Sequence, residues 1–127
     1  MVYNEMNCAK NEGWGKRKMK RIKTNEEWLK ILEQSKEQPL LILKFSMTCV
    51  SSISALKEFK ALETALPKYL VIVQRERDVS NAIAQDLDVK HESPQLLILK
   101  EGKGIWQATH YKIKRPLLAE AIDTYVL

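Results

Sequence analysis

Cys49 and Ser52 stand three residues apart in the segment Phe45-Ser46-Met47-Thr48-Cys49-Val50-Ser51-Ser52, where an apolar run ends and helical periodicity begins. At such a junction the unpaired amides and the positive end of the helix dipole stabilise a thiolate, which lowers the thiol pKa below its free value of about 8.5. The sulfur then becomes nucleophilic near neutral pH. Ser52 occupies the position at which a dithiol site would carry its resolving cysteine. No intramolecular disulfide can close there, so a mixed disulfide on Cys49 persists until an external thiol arrives. The Ser52 hydroxyl is expected to donate a hydrogen bond to the thiolate. A buried structural cysteine is the ordinary alternative, but the polar neighbours Ser46, Thr48, Ser51 and Ser52 favour a wet helix tip.

The flanking periodicities predict the elements that position this site. Thr24-Asn25-Glu26-Glu27 is a capping box that opens a helix to about Ser35, with Trp28, Leu29 and Leu32 as its apolar stripe. Leu40 to Phe45 reads as a buried strand. After Cys49, apolar residues at Val50, Ile53, Leu56, Phe59, Leu62 and Leu66 predict a helical face that Pro67 stops. Tyr69 to Gln74 reads as a second buried strand, and Asp78 caps a helix carrying Val79, Ile83 and Leu87. Pro94 precedes the strand Gln95 to Lys100. A turn at Glu101-Gly102-Lys103-Gly104 returns the chain through Ile105 to Thr109. A last helix, with Pro116 in its first turn, is expected to bury Leu117, Leu118, Ala121, Ile122 and Tyr125.

Strands joined through helices run parallel, whereas a terminal hairpin adds antiparallel neighbours. The order helix, strand, helix, strand, helix, strand, strand, helix, with a short leading strand near Arg21 to Lys23, therefore predicts an α/β thioredoxin-like fold. Its mixed sheet has four to five strands, with helices on both faces. In that topology the loop Glu92-Ser93-Pro94-Gln95 faces the cysteine-bearing helix tip, and a proline there is commonly cis. Backbone before it can pair with a docking peptide or thiol.

The chain has 127 residues, a length suited to one domain, assigned here to residues 20–127 behind a basic extension of residues 1–19. The net charge of +5 is local. Lys16 to Lys23 holds six cations and no anion, whereas Thr24 to Leu127 holds 14 Lys and Arg against 14 Asp and Glu. The run is read as a solvated extension, with nucleic-acid binding the disfavoured reading. No apolar run is long enough to cross a bilayer and no signal peptide is visible, so a cytoplasmic protein with no membrane association is expected. Two cysteines cannot build a disulfide framework. Cys8 lies in the extension with no helix start to activate it. A monomer is expected.

The C-x-x-S site, the block His91-Glu92-Ser93-Pro94-Gln95 with its apolar run, and Trp106-Gln107-Ala108-Thr109-His110-Tyr111 together resemble the YtxJ-type monothiol bacilliredoxins. The resemblance extends from about Lys20 to the C-terminus. Family members typically read Thr-Cys-Pro-Ile-Ser at the site, where this chain has Thr48, Cys49, Val50, Ser51 and Ser52. The resemblance implies removal of bacillithiol, a cysteinyl glucosaminyl malate, from proteins that carry it as a mixed disulfide. Cys49 would be the nucleophile, assisted by Ser52, with Thr48, His91, Ser93, Pro94 and His110 in substrate binding. Bacillithiol would act as co-substrate, its clients would be S-bacillithiolated proteins, and no metal or bound cofactor is implied. Cations for the malate carboxylates are sought among Lys44, Lys90, His91, His110 and Lys112. The alternative is a redox-silent binding module on the same fold.

Overall fold

The computed structural model describes residues 19–126, so Cys8 and the start of the basic run lie outside the described residues. Ten elements follow in order: β1 (Met19–Arg21), α1 (Asn25–Gln34), β2 (Leu40–Phe45), α2 (Val50–Ala61), β3 (Lys68–Ile72), α3 (Arg77–Leu87), β4 (Gln95–Lys100), β5 (Lys103–Thr109), a short 3-10 turn (His110–Lys112) and α4 (Arg115–Tyr125). One five-stranded sheet has the order β1-β3-β2-β4-β5. β1 and β2 run parallel to β3, whereas β4 is antiparallel to both β2 and β5. This is the thioredoxin topology expected from the element order.

β2 lies at the centre, between β3 and β4, and its side chains alternate between the two faces of the sheet. Leu41 and Leu43 pack with Ala55 and Phe59 of α2 and Leu118 and Ile122 of α4. Leu40 and Ile42 pack with Trp28 of α1 and with Val79 and Ile83 of α3. Two cores therefore sandwich one sheet. Because β2 and β3 are parallel and β4 is antiparallel, the ends of β2 and β3 and the start of β4 share one edge. That edge carries the cysteine.

Thr24 caps α1 by accepting a hydrogen bond from the Glu27 amide at 3.1 Å, while the Glu27 carboxylate accepts from the Lys23 amide at 2.7 Å. The return bond thus reaches one residue further back than in a standard capping box. The second half of the basic run is structural rather than a solvated extension. Met19–Arg21 forms an edge strand, Ile22 is fully buried, and Arg21 pairs with the buried Glu76, which also accepts from the Ile72 amide at 2.7 Å. The expected domain start at residue 20 falls inside this strand.

Several helical faces differ from expectation. α2 buries Ser51, Ser52, Ala55 and Phe59, leaving Val50 72% and Ile53 56% exposed, because the smaller side chains allow the helix to lie close against the sheet. α2 also ends at Ala61 instead of running to Pro67. Lys68, buried at the start of β3, donates its ammonium protons to the Phe59 and Leu62 carbonyls and so closes the helix C-terminus. In α1 the buried pair is Trp28 and Ile31, with Leu29 in solvent, and in α4 Leu117 and Tyr125 are exposed. α3 begins at Arg77, placing Asp78 in its first turn rather than at the cap.

Candidate active site

Cys49 is the N-cap residue of α2, with extended backbone angles, and Val50 begins the helix. The Ser52 amide donates to the Cys49 carbonyl at 3.0 Å. The first-turn amides of α2 face the sulfur, although none closes a full capping hydrogen bond to it. The Ser51 hydroxyl lies 3.0 Å from Sγ, and the thiol is partly exposed. Among the described residues there is no second cysteine.

The thiol is held below its ordinary pKa first by the Ser51 hydroxyl and then by the Ser52 backbone amide. Partial desolvation opposes them, and the Ser51 amide and Ser52 hydroxyl contribute less. The hydrogen bond expected from the Ser52 hydroxyl is thus present but is the smallest of the four contributions that lower the pKa. The Ser52 side chain is fully buried and its oxygen accepts the Ser46 amide proton at 3.0 Å, which makes it chiefly a brace for the connector between β2 and α2. Replacing Ser51 by Ala is expected to raise the Cys49 alkylation midpoint toward that of a free cysteine without unfolding the chain. An unchanged midpoint would assign the activation to the helix end alone.

A brace absent from the sequence reading is Gln74, just beyond β3. Its Oε1 accepts from the Met47 amide at 3.1 Å, and its Nε2 donates to Ser46 Oγ at 2.6 Å and to Thr48 Oγ1 at 3.4 Å. Thr48 is exposed beside the cysteine and also lies 3.2 Å from Ser46 Oγ. The signal for Gln74 was topological: adjacent parallel strands end at the same edge.

Across that edge the Ser93–Pro94 peptide is cis, and Pro94 is buried. The Pro94 carbonyl accepts from the His110 amide at 3.1 Å, which brings His110, at φ 54°, to the base of this loop. The buried Ser93 Oγ has no hydrogen-bond partner among the described residues. His91 is exposed, with one ring edge against α3. Its Nδ1 lies 3.2 Å from Ser80 Oγ on α3, and partial desolvation, followed by the nearby Lys44 and Arg77 charges, lowers its pKa, with Glu92 opposing them. Lys90 and Lys112 are exposed.

Lys44 departs most from expectation as a carboxylate-binding cation. It is wholly buried in β2, where its ammonium reaches the Ser80 carbonyl at 3.4 Å, so it cannot meet a solvent-borne ligand. Desolvation lowers its pKa from 10.5 to about 8. Between those values the unfolded chain holds the proton that the folded chain has lost, so folding stability rises with pH across that window. Below it, burial of the charge costs up to about 3 kcal/mol, at 1.36 kcal/mol per unit. Urea midpoints measured from pH 7.5 to 10.5 should show this rise relative to the Lys44→Met variant, and parallel curves would refute it.

The family model for "Monothiol bacilliredoxin BrxC" matches residues 20–118. A solved structure described as a candidate oxidoreductase with a thioredoxin fold is 32% identical, with a TM-score of 0.74, over 81% of this chain and 92% of its own. Fasciola hepatica thioredoxin is 17% identical, with a TM-score of 0.67, over 84% of this chain and 99% of its own. A poplar thioredoxin h mutant is 18% identical, with a TM-score of 0.69, over 91% of this chain and 87% of its own. The latter two show the fold alone. With the activated cysteine, the proline loop and the match across both, the chain belongs to the monothiol bacilliredoxin family, among thioredoxin-fold oxidoreductases.

Proposed function

We propose that this protein removes bacillithiol from S-bacillithiolated proteins by monothiol exchange. The Cys49 thiolate attacks the bacillithiol sulfur of the mixed disulfide. A new disulfide joins Cys49 to bacillithiol as the old one breaks, and the client sulfur leaves as a thiolate that takes a proton from water. A second bacillithiol thiolate then attacks the bacillithiol sulfur held on Cys49, forming bacillithiol disulfide and returning the Cys49 thiolate. One disulfide is lost and one formed, so no net oxidant is needed. Bacillithiol serves as co-substrate.

The observation that carries this reading is the hydrogen-bonded, partly exposed sulfur at the tip of α2, with no resolving thiol at Ser52. The departure of Val50 and Ser51 from the family pattern is compatible with it. Ser51 supplies a hydroxyl to the sulfur where an isoleucine would supply none, and Val50 offers an amide where proline has none. Exposed cations flank both sides of the edge as partners for the malate carboxylates: Arg75 next to Gln74, and Lys112 two residues beyond His110. The proposed setting is a reducing cytoplasm with the protein acting as a monomer. Mass spectrometry after incubation with oxidised bacillithiol should show one adduct, on Cys49, that free bacillithiol discharges. A chain that stays unmodified, or an adduct that free thiol leaves in place, would refute the proposal.

A further inference from the structure

Lys44 is a buried cation whose surroundings lead to the substrate-docking loop. On β2 it shares a face with Leu40 and Ile42, the face that α3 covers. Its ammonium donates to the Ser80 carbonyl, and the hydroxyl of the same serine meets His91 Nδ1. His91 stands three residues before Pro94. Directly across the sheet, Lys44 is in register with Gln95, whose Nε2 donates to the Lys90 carbonyl at 3.0 Å and to Gln107 Oε1 at 2.7 Å. The segment Lys90–Ser93 is thus held from two sides, through His91 by Ser80 and through Lys90 by Gln95. Lys44 lies against both anchors.

We propose that Lys44 is a positioning residue that fixes the Ser93–Pro94 loop against Cys49 through the Ser80–His91 hydrogen bond. The chemistry follows from charge and tautomer. An ammonium nearby disfavours a second positive charge on His91, as does Arg77 at the start of α3, whereas Glu92 on the loop favours it. A neutral imidazole can pair with the Ser80 hydroxyl as acceptor or as donor, according to its tautomer, whereas an imidazolium can only donate to it. Lys44 therefore bears on the loop chiefly by contact, holding through its carbonyl the serine whose hydroxyl meets His91, and secondarily by disfavouring charge on that imidazole. The inference rests on the proposed exchange reaction only where it concerns substrate, because the loop and the imidazole can be read without turnover.

The test compares wild type with Lys44→Met and Ser80→Ala. Lys44→Met replaces a costly buried charge with an apolar chain of similar length and is expected to fold. Ser80→Ala keeps the carbonyl that accepts from Lys44 and removes only the hydroxyl. In Lys44→Met the His91 imidazole, followed by NMR, should titrate at higher pH than in wild type. In both variants the amides of Lys90 to Ser93 should exchange with solvent several-fold faster. With a bacillithiolated peptide as substrate, both should raise KM several-fold, with kcat and the Cys49 alkylation midpoint near wild type.

Unchanged His91 titration and loop exchange in Lys44→Met would overturn the proposal, whatever the activity. A displaced Cys49 midpoint with an unaltered loop would also overturn it, by making Lys44 a direct electrostatic partner of the thiol. Absence of turnover in wild type would refute the exchange reaction instead, and the two loop readouts would still decide the role of Lys44.

Discussion

Replacement of Cys49 by Ser should abolish exchange altogether, leaving only the uncatalysed reaction between free thiols. The serine hydroxyl is not ionised at neutral pH and cannot form a disulfide, so no smaller rate is available through the same route. The substitution changes one atom on a partly exposed helix cap and should leave the fold unchanged. Loss of activity with an intact circular dichroism spectrum and urea midpoint is therefore the expected result. A variant that retains exchange would move the chemistry to another thiol. Retained binding of a protein partner, in a wild type with no exchange activity, would favour the redox-silent alternative on the same fold.

The largest expected effect on stability belongs to Phe59→Ala. Phe59 is fully buried where α2 meets the sheet, in the cluster that contains Leu41 and Leu43 of β2. Truncating a buried phenylalanine costs about 3–5 kcal/mol. Typical domain stabilities are about 5–15 kcal/mol, so a large share of the margin is at stake. The Lys68 ammonium, 5.4 Å from the ring centroid, also loses its aromatic partner but keeps the Phe59 carbonyl. Chemical denaturation should show the lower midpoint. Because α2 carries the cysteine at its other end, partial loosening should also blur the thiol activation. A midpoint shift below about 1 kcal/mol would contradict the packing described here.

These two residues differ in how plainly the sequence announces them. Cys49 is legible because a strand end, polar neighbours and a helical period converge on it. The strands β2 and β4 are legible for a related reason: a strand covered on both faces reads as an unbroken apolar run. Helix orientation is harder to read. The spacing of Val50, Ile53 and Leu56 describes an apolar stripe as well as the buried Ser51, Ser52, Ala55 and Phe59 do, and only the close approach of α2 to β2 selects the small residues. That rotation is invisible in one dimension, so the sequence does not show that Ser51, more than Ser52, supplies the main hydroxyl at the sulfur.

Residue type alone places Lys44 in solvent, since a lysine is ordinarily solvated. Its place inside a run covered on both faces was the contrary signal. Once β2 lies between β3 and β4, with helices above and below, its ammonium has no path to water. Gln74 and Ser80 carry no local signature at all. Their roles follow from which strand ends and helix turns the topology brings to one edge. The short β1 lies about two residues before its expected place, because three residues set no period and its anchor, Glu76, is 55 residues away from Arg21.

The tip of α2 holds one sulfur ionised and within reach of a disulfide. The rate of Cys49 alkylation by iodoacetamide, followed against pH alongside a free cysteine peptide, measures both properties at once. The expected midpoint lies clearly below that of the peptide, with full modification of the folded protein. A midpoint at or above that of the peptide, or a thiol that reacts only after unfolding, would contradict it.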